Sequence, residues 1–540
     1  MPETTPARTA ADAPRGLAAA VAALVLLLVA ADLLAPHSLT RGDQGKQAQY
    51  LLDAAGNGQW LAPWDVARGE PATKPPLYTW FAVLCARVLG RIDETALRLP
   101  AALAAAGLAA VTFLLGRRLA DARTGAWAAL ALATTYHFGR MAALARTDGL
   151  LALLLNAQVL VLAAAADPAR ISIGRTLALS ALCAAACLTK GPAGLLACAV
   201  AAAWLLMTGR RGLLRAAVIP AVAGSLLLVA WFEAALRARG EQVWSTMVEG
   251  ELVRHATEGQ WWNPLYYGPV LAGRFLPWTL LLPAAAISAR RAWRAARPGP
   301  PPDAVALPVA WLLAHLVAFG LFPHKRPDLA YPLVPALCLL VARLAGEPAP
   351  RRTALACAAL FTAGAAAALL WRPEAFVVPV PAWAVALSCA LFVAAAALAW
   401  RAARRNPGGV PVATGSALLL PTALAGVALF VMTQLEPAPQ VAAWSWRDFG
   451  LTARAEAARL DAPLLHAGFR ANAALFQLGI ARPPCTDADL LATPRPFVLV
   501  TTPTERERLG ALLGPLEELA HAEGEPGSAD IELVLLRAGR

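Results

Sequence analysis

The sequence predicts an all-α, polytopic membrane protein of about thirteen transmembrane helices, followed by a small C-terminal α/β domain. Three observations predict this fold class. Of the 540 residues, 58% are hydrophobic and 15% are charged, and the mean hydropathy is +0.54. Apolar runs long enough to cross about 30 Å of hydrocarbon recur as far as residue 433. The remaining residues are more polar. This composition excludes a water-soluble globular protein, a disordered chain and a collagen-like chain.

The first apolar segment, residues 16–35, follows a short arm that carries Arg8 and Arg15. It is too long for a cleaved secretory signal and lacks a small-residue exit site, so we interpret it as an uncleaved span that enters from the cytoplasm. Twelve further spans are predicted at residues 97–116, 125–143, 148–166, 172–189, 192–208, 216–236, 267–288, 305–322, 330–346, 353–371, 379–400 and 411–433.

A shorter apolar segment, residues 76–90, decides the orientation of every later loop. If this segment stays on the outer side, the arginine clusters fall in the cytoplasm, as the positive-inside rule predicts. These clusters lie at 117–123, 170–175, 210–215, 290–297, 343–352 and 401–405. We therefore predict an interfacial or re-entrant helix at 76–90. The arginines in these loops account for the formal net charge of +12, so nucleic acid is not an expected partner.

The predicted transmembrane domain covers residues 1–433, with outer loops at 36–96 and 237–266. The predicted C-terminal domain covers residues 434–540 on the same outer side. It contains amphipathic helical stretches at 446–459 and 504–520 and strand-like runs at 497–501 and 531–536. Seven of the eight cysteines lie in apolar runs, so neither a disulfide framework nor a zinc site is expected.

Charged residues collect at the predicted outer edge of the membrane, where each one is costly unless it has a partner or a function. They are Asp43, Lys74, Arg146, Asp148, Lys190, Glu249, Glu251, Arg254, His255, His324, Lys325, Arg326 and Asp328. Structural alternatives exist for several. Asp43 is a good N-cap for the helix that follows it, and Lys74 is a candidate snorkelling lysine. Arg146 and Asp148 could pair with each other, and Lys190 could be an ordinary loop residue.

Ordered motifs make the chain resemble the polyprenyl-phosphate-dependent membrane glycosyltransferases of the C-type fold. The resemblance extends to lipid A aminoarabinose transferases and to the protein O-mannosyltransferase-like superfamily. After Asp43 come GQWLAP at 58–63, KPPLYTW at 74–80, LRLP at 97–100, RTD at 146–148, LTKG at 188–191, Glu249 to Arg254, WNPLYY at 262–267, LPW at 276–278, KRPD at 325–328 and YPLVP at 331–335. Their order over residues 16–345 carries the resemblance.

The resemblance implies that Asp43 is the catalytic acidic residue and that Lys74 and Arg254 bind the phosphate of the lipid carrier. Two fixed cations in a water-poor cleft stabilise a phosphate leaving group far better than they would in water. The remaining candidates for contacts with the sugar or the acceptor are Arg146, Asp148, Lys190, Glu249, Glu251, Lys325 and Arg326.

The sequence departs from the family pattern at two positions. Gln44 follows Asp43 where the family often has an Asp-Glu pair, and Thr73 precedes Lys74 where an acidic residue is common. With that acidic side chain absent, we expect no metal ligands here and no obligatory metal or other cofactor. Both Glu249 and Glu251 precede Arg254, so the glutamate that matches the family pattern stays open.

The sequence thus predicts a bacterial inner-membrane enzyme with a cytoplasmic N-terminus and a periplasmic active site. It would move a sugar from an undecaprenyl-phosphate carrier to a lipid A, glycolipid, polysaccharide or protein acceptor, by direct inverting displacement. A transporter or flippase of lipid-linked sugars is the alternative. A translocation path needs polar groups at mid-membrane depth, and apart from Asn156, Glu233 and Arg274 the predicted spans are nearly bare of them.

Overall fold

The computed structural model describes residues 15–34, 39, 43–164, 171–210, 212–259, 263, 265–347, 351–370, 382–404, 416–434, 446–523 and 532–539. Up to residue 210 its helices are α1 (Arg15–Leu34), α2 (Gln44–Gly56), α3 (Leu77–Leu89), α4 (Glu94–Leu119), α5 (Ala122–Ala133), α6 (Tyr136–Met141), α7 (Thr147–Ala163), α8 (Ile173–Lys190) and α9 (Leu196–Thr208). A 3-10 turn, Gly191–Leu195, joins α8 to α9.

The second half of the bundle begins with the long helix α10 (Gly212–Arg239). It continues into α11 (Gln242–Trp244), a π-helix (Ser245–Val253) and α12 (Arg254–Thr257). The remaining helices of this half are α13 (Tyr267–Arg274), α14 (Leu282–Ala295), α15 (Asp303–Leu321), α16 (Val334–Ala342), α17 (Arg351–Leu370), α18 (Ala382–Arg404) and α19 (Ser416–Gln434). Short 3-10 segments at Trp278–Leu281, Pro327–Leu333 and Arg343–Gly346 border α14 and α16.

Each of the thirteen apolar segments predicted from the sequence contains helical structure in its described residues. Residues 35, 165–166, 371, 379–381 and 411–415 of these segments lie outside the described residues. By length and composition, seven helices in the described part of the chain can cross a membrane, or eight if one bent pair counts as a span. One of the seven, Ile173–Thr208, joins two of the predicted spans. Leu77–Leu89 and Thr147–Ala163 are apolar but shorter. The chain is a multi-pass membrane protein, and the count of thirteen spans stays a prediction.

Two predicted spans are interrupted. Residues 125–143 form α5 and α6. Thr134 is the C-cap of α5, and Thr135 caps α6 by accepting a hydrogen bond from the amide of Phe138 (3.1 Å). Residues 267–288 bend by 111° between α13 and the helical segment that starts at Trp278. Pro277 lies at this bend and has no amide hydrogen with which to continue a helix. The two breaks meet, since the amide of Tyr136 donates to the Leu276 carbonyl (2.9 Å).

Small residues allow the helices to approach closely. A Cβ atom added to Gly116 on α4 would lie 2.6 Å from the Cα atom of Gly125 on α5. Membrane helices associate through such contacts because burial from lipid supplies little driving force. Bulky side chains fill the centre of the bundle, and Trp204, Trp278 and Trp311 are fully buried there.

The C-terminal part contains a four-stranded sheet. Its strands are β3 (Leu464–His466), β4 (Phe497–Thr501), β5 (Leu516–Glu523) and β6 (Glu532–Ala538), in the order β3-β4-β6-β5 with only the β3–β4 pair parallel. The two strands numbered before them, β1 (Trp64–Asp65) and β2 (Glu70–Pro71), form a small hairpin after α2. Four helices accompany the larger sheet: α20 (Arg447–Arg459), α21 (Asn472–Leu478), α22 (Asp487–Ala492) and α23 (Pro503–Leu513).

Two details of the C-terminal prediction need correction. The helix predicted at 504–520 ends at Leu513, and Leu516–Glu523 is a strand. Gly514, with a φ of +81°, follows the end of that helix in a conformation that favours glycine. The strand predicted at 531–536 begins at Glu532, and residue 531 lies outside the described residues. The helix at 446–459 and the strand at 497–501 are confirmed as Arg447–Arg459 and Phe497–Thr501.

The C-terminal sheet packs on the outer loop that carries α2. Val498 and Val500 on one face of β4 share an apolar core with Ala48 and Leu51 of α2. Phe497 and Leu499 on the other face pack with Leu509 of α23 in a second core. Because side chains alternate along a strand, one strand holds both layers together.

Candidate active site

A cavity of about 590 Å³ opens between the loop that carries α2 and helices α7 to α10 and α15. Its polar wall contains Asp43, Lys46, Gln47, Tyr50, Lys74, Arg146, Asp148, Lys190, Glu251, His324 and Arg326. Its apolar wall includes Leu195, Leu196, Ala199, Leu228, Val229, Phe232, Phe319 and Phe322. The cavity is therefore amphipathic, with a charged region beside a long apolar surface.

Asp43 lies immediately before α2, at the N-cap position, yet its side chain makes no capping hydrogen bond. Its Oδ2 atom lies 3.4 Å from Arg326 and 3.8 Å from Arg146. Burial raises the pKa of Asp43, but the positive charges of Arg326 and Arg146 outweigh burial and hold the pKa below its ordinary value of 3.8. The carboxylate is thus ionised at neutral pH and faces the cavity.

Arg146 connects three carboxylates. Its guanidinium lies 2.6 Å from Asp328, 3.3 Å from Asp148 and 3.8 Å from Asp43. The predicted alternative, that Arg146 and Asp148 pair with each other, is true but incomplete. Lys190 at the end of α8 also reaches Asp148, with its Nζ atom 2.5 Å from Oδ1. The RTD, LTKG and KRPD motifs therefore meet in one buried charge network.

Lys74 and Glu251 form an ion pair of 2.6 Å in the cavity wall. Glu251 comes from the π-helix, whereas Glu249 on the same segment is exposed and does not line the cavity. The structure thus brings Glu251, and not Glu249, to the predicted phosphate-binding lysine.

Arg254 is exposed at the start of α12 and is not part of the cavity wall. Its charge nevertheless acts on His324, which does line the cavity. Partial burial lowers the pKa of His324, as do the charges of Arg326, Arg254 and Lys74, while Glu251 opposes them. The positive charges of Lys74 and Arg254 therefore both act on the His324 side chain. The phosphate-binding role of Arg254 stays a prediction.

Lys325 and its neighbour Arg326 lie in different surroundings. Arg326 lines the cavity and reaches Asp43. The ammonium of Lys325 instead donates to the carbonyl oxygens of Phe319 (3.1 Å) and Gly320 (2.6 Å) at the end of α15. This placement completes the helix terminus, where carbonyl groups lack intrahelical partners. The structure does not bring Lys325 into the cavity wall.

The GQWLAP motif fixes α2 through its backbone. Indole groups of Trp80 and Trp231 donate to the carbonyls of Trp60 (2.7 Å) and Leu61 (3.0 Å). Arg239 donates to the Ala62 carbonyl (3.0 Å) and lies 3.4 Å from Asp53, whose Oδ2 accepts from the amide of Trp64. These bonds attach the loop to α3 and α10. Of the WNP motif at 262–264, only Asn263 lies among the described residues.

Sequence reasoning missed three polar residues that α2 presents to the cavity. Lys46, Gln47 and Tyr50 follow Asp43 by three, four and seven positions, which places them on one face of the helix. Gln47 is buried, and its Oε1 atom has no hydrogen-bond partner among the residues that the structure describes. The helical spacing from Asp43 is the signal that could have identified them.

No group of three or more His, Cys, Asp or Glu side chains is placed to hold a metal ion in the described parts of the chain. The expectation that no metal or other cofactor is obligatory stays a prediction.

The fold matches that of solved membrane glycosyltransferases. ArnT from Cupriavidus metallidurans, solved bound to undecaprenyl phosphate, superposes with a TM-score of 0.72 over 97% of this chain and 98% of that chain, at 20% identity. The chain has the C-type glycosyltransferase fold. The archaeal oligosaccharyltransferase AglB from Archaeoglobus fulgidus superposes less closely, with a TM-score of 0.52, 11% identity, and coverage of 92% and 71%.

Sequence comparison finds similarity to transferases of the same kind. Residues 73–234 match the family model described as dolichyl-phosphate-mannose-protein mannosyltransferase. The undecaprenyl phosphate-alpha-4-amino-4-deoxy-L-arabinose arabinosyl transferase of Pseudomonas aeruginosa is 30% identical over 334 residues. That alignment covers 58% of this chain and 58% of the relative. These similarities confirm the resemblance that the ordered motifs indicate.

Proposed function

We propose that this protein is a membrane glycosyltransferase that moves a sugar from an undecaprenyl-phosphate or similar polyprenyl-phosphate donor to an acceptor at the outer face of the inner membrane. The cavity carries this proposal, since its wall combines a charged region that contains Asp43 and Lys74 with a region lined by aliphatic and aromatic side chains. A lipid with a phosphate head and a polyprenyl tail has the same division into charged and apolar parts. The relatives are named transferases, which favours transfer over transport.

The charges around the cavity fit a phosphate leaving group. Breaking the bond between the anomeric carbon and the carrier phosphate increases negative charge on the phosphate oxygens. Lys74 and Arg254 would stabilise this charge, and Arg254 could do so with two hydrogen bonds at once. Glu251 holds the Lys74 ammonium in the cavity wall, 2.6 Å from its own carboxylate.

Asp43 would act on the acceptor. In a direct inverting displacement the acceptor attacks the anomeric carbon on the side opposite the leaving phosphate, and one carboxylate suffices. An ionised Asp43 could take the proton of an acceptor hydroxyl or orient an acceptor that is already anionic. The charges on Arg146, Asp148, Lys190 and Arg326 would then hold the sugar and the acceptor around it.

The orientation in the membrane follows from the arginine clusters. We infer about thirteen spans, a cytoplasmic N-terminus, and a periplasmic position for both the cavity and the C-terminal domain at 434–540. A polyprenyl-phosphate sugar is a suitable donor there, because nucleotide sugars are confined to the cytoplasm. Lipid A, another glycolipid, a polysaccharide and a protein are the acceptors in view, and the relatives' names favour an aminopentose as the sugar.

The experiment is transfer by the purified protein from undecaprenyl-phosphate aminoarabinose to lipid A, followed by mass spectrometry of the product. We expect activity in the wild-type chain, loss of transfer in Asp43→Asn, and near-normal binding of undecaprenyl phosphate by that variant. The matched control is Asp121→Asn, which changes an aspartate that caps α5 outside the cavity. Transfer by Asp43→Asn at a near wild-type rate would remove Asp43 from the mechanism.

A further inference from the structure

Two arginines in apolar segments lie beyond the cavity wall, Arg140 on α6 and Arg274 at the end of α13. Both pack against the same aromatic ring, with their guanidinium carbons 5.8 Å and 5.7 Å from the centre of Tyr136. Charged side chains within membrane segments are costly and usually mark a binding or transport function. The reaction proposed above uses neither arginine.

These two guanidinium groups have few hydrogen-bond and ion-pair partners in the described structure. Among the described residues, Arg140 donates one hydrogen bond, to the Tyr136 hydroxyl (3.3 Å). Arg274 has an ion pair of 3.8 Å with Asp328, and its Nη1 atom is buried without a hydrogen-bond partner in the described structure. A buried donor without a partner is destabilising unless a ligand or water supplies an acceptor. The Nη1 donor of Arg274 is therefore available to a ligand that supplies an oxygen acceptor.

The local charge is positive. Asp328 lies closer to Arg146 (2.6 Å) than to Arg274 (3.8 Å), so its carboxylate is shared between two arginines. Among the described residues, no carboxylate forms an ion pair with Arg140. Two partly satisfied guanidinium groups beside one phenol hydroxyl suit a group with several negative oxygens. Arginine binds phosphate with two parallel hydrogen bonds, so a phosphate fits best.

The position of the pair relates it to the reaction centre. Asp328 contacts Arg274 on one side and Arg146 on the other, and Arg146 in turn contacts Asp43. The pair therefore lies beyond the Arg146–Asp328 contact and outside the residues that line the donor cavity. A direct displacement needs the acceptor to arrive from a direction other than that of the leaving phosphate.

We infer that Arg140 and Arg274 form a second anion site, which binds a phosphate group of the acceptor lipid and thereby directs the acceptor toward Asp43. This inference rests on the proposed function and deepens it by assigning an anionic acceptor. The same chemistry could come from the headgroup of a bulk phospholipid, so the experiment separates the two sources.

The test measures binding to the full chain in nanodiscs of zwitterionic phosphatidylcholine. The probes are lipid A with its two phosphates, the same lipid A after enzymatic dephosphorylation, phosphatidylglycerol, and undecaprenyl phosphate. The test variant is Arg140→Gln/Arg274→Gln. The matched control is Arg210→Gln, because Arg210 also pairs with a carboxylate, Asp303 (2.6 Å), and lies over an aromatic ring, that of Trp204. Arg274→Lys keeps the positive charge but removes the planar guanidinium group. This single variant replaces the double variant in the binding test if the double variant is unstable.

We expect the double variant to bind phosphorylated lipid A roughly tenfold more weakly or worse, since a charge-assisted bond contributes about 1.5–3 kcal/mol. Binding of undecaprenyl phosphate should be unchanged, dephosphorylated lipid A should bind both proteins weakly, and Arg274→Lys should lose less affinity. Equal affinity of the variant and the wild type for phosphorylated lipid A would overturn the inference. So would an equal loss of affinity for phosphatidylglycerol, or an equal loss for undecaprenyl phosphate. Failure of the wild-type chain to bind undecaprenyl phosphate would instead count against the proposed function.

Discussion

Asp43 is surrounded by cations, and this environment determines how it responds to pH. Its pKa lies below the ordinary value of 3.8 because the charges of Arg326 and Arg146 outweigh burial. A lowered pKa means that the carboxylate is ionised from neutral pH down to below that value. The electrostatic stabilisation that Asp43 contributes to the fold is therefore present above pH 3.8 and is lost as the pH falls through the lower, folded-state pKa.

The first prediction concerns the pH profile of transfer. We expect kcat/KM to show no fall that is attributable to protonation of Asp43 between pH 7 and about pH 5. The measurement is a pH series with the wild-type chain and with Asp43→Glu, whose longer side chain lies differently among the same cations. A fall in kcat/KM near pH 6 that disappears in Asp43→Glu would contradict this assignment.

Gln47 supplies the second prediction at this scale. Its Oε1 atom is buried in the cavity region without a partner, one helical turn from Asp43, so a donor group of the sugar is its expected ligand. Gln47→Leu keeps the volume and removes the amide. We expect about a tenfold loss of affinity for undecaprenyl-phosphate aminoarabinose, and little change for undecaprenyl phosphate without the sugar.

Comparing the affinities for the two lipids isolates the contribution of the sugar to binding. Gln49→Leu is the control. The Oε1 atom of Gln49 is also buried on α2 without a partner among the described residues, but its Nε2 donates to the Asn472 carbonyl (3.1 Å) and the residue does not line the cavity. An equal loss of affinity for both lipids in Gln47→Leu would show that the residue acts on the carrier or on the fold.

Much of the site could be predicted from single residues, because charge at membrane depth is rare and costly. Asp43, Lys74, Arg146, Asp148, Lys190 and Arg326 were all predicted in this way and line one cavity. The choice between Glu249 and Glu251 could not be predicted, because these residues lie on a π-helix, whose wider turn changes which positions share a face. Lys325 and Arg326 are adjacent in sequence, so the sequence could not show that Lys325 lies at the end of α15 while Arg326 lines the cavity.

Helix α2 is the element that links the C-terminal sheet to the reaction centre. Asn472 at the start of α21 donates through Nδ2 to Asp65 (3.1 Å), which follows α2 and is fully buried. The Asn472 carbonyl accepts from Gln49 on α2 itself. Burial raises the pKa of Asp65, and the Asn472 hydrogen bond and the Arg68 charge oppose that rise without overcoming it.

The third prediction follows from this contact. Asn472→Ala should lower the free energy of unfolding by about 1–3 kcal/mol, because Asp65 loses a hydrogen bond in a buried position. Thermal unfolding of the variant checks this, and the KM for the donor should rise if α2 loosens. The control is Arg508→Ala, which breaks an exposed ion pair with Asp487 and should lower the free energy of unfolding far less. Equal stability of Asn472→Ala and wild type would contradict the role of this contact.

Hydropathy predicts where the helices lie, but it does not predict where they are interrupted. All thirteen predicted segments contain helix, because long apolar runs can satisfy their backbone in a membrane only that way. The breaks at Thr135 and at 275–277 depend on contacts between distant parts of the chain, such as the bond from Tyr136 to Leu276. Likewise, residues 516–523 have a helix-like composition and become a strand by pairing with β6.

For the whole molecule, the fold places an apolar cavity wall beside a charged one. The apolar wall comes from α9, α10 and α15, while the charged wall comes from the outer loop, the start of α7, the end of α8 and the segment after α15. Sequence order alone could not show which surfaces face each other. The match to ArnT over 97% of the chain shows that the overall fold is the same.

The measurement that tests the central claim most directly is mass spectrometry of the lipids that co-purify with the protein. The wild-type chain is compared with Lys74→Ala/Arg254→Ala and with the control Arg210→Gln. We predict a polyprenyl phosphate, with or without an attached sugar, in the wild type and the control, and its loss from the double variant, because each charge-assisted phosphate contact contributes about 1.5–3 kcal/mol. Absence of any polyprenyl phosphate from all three proteins would contradict the account.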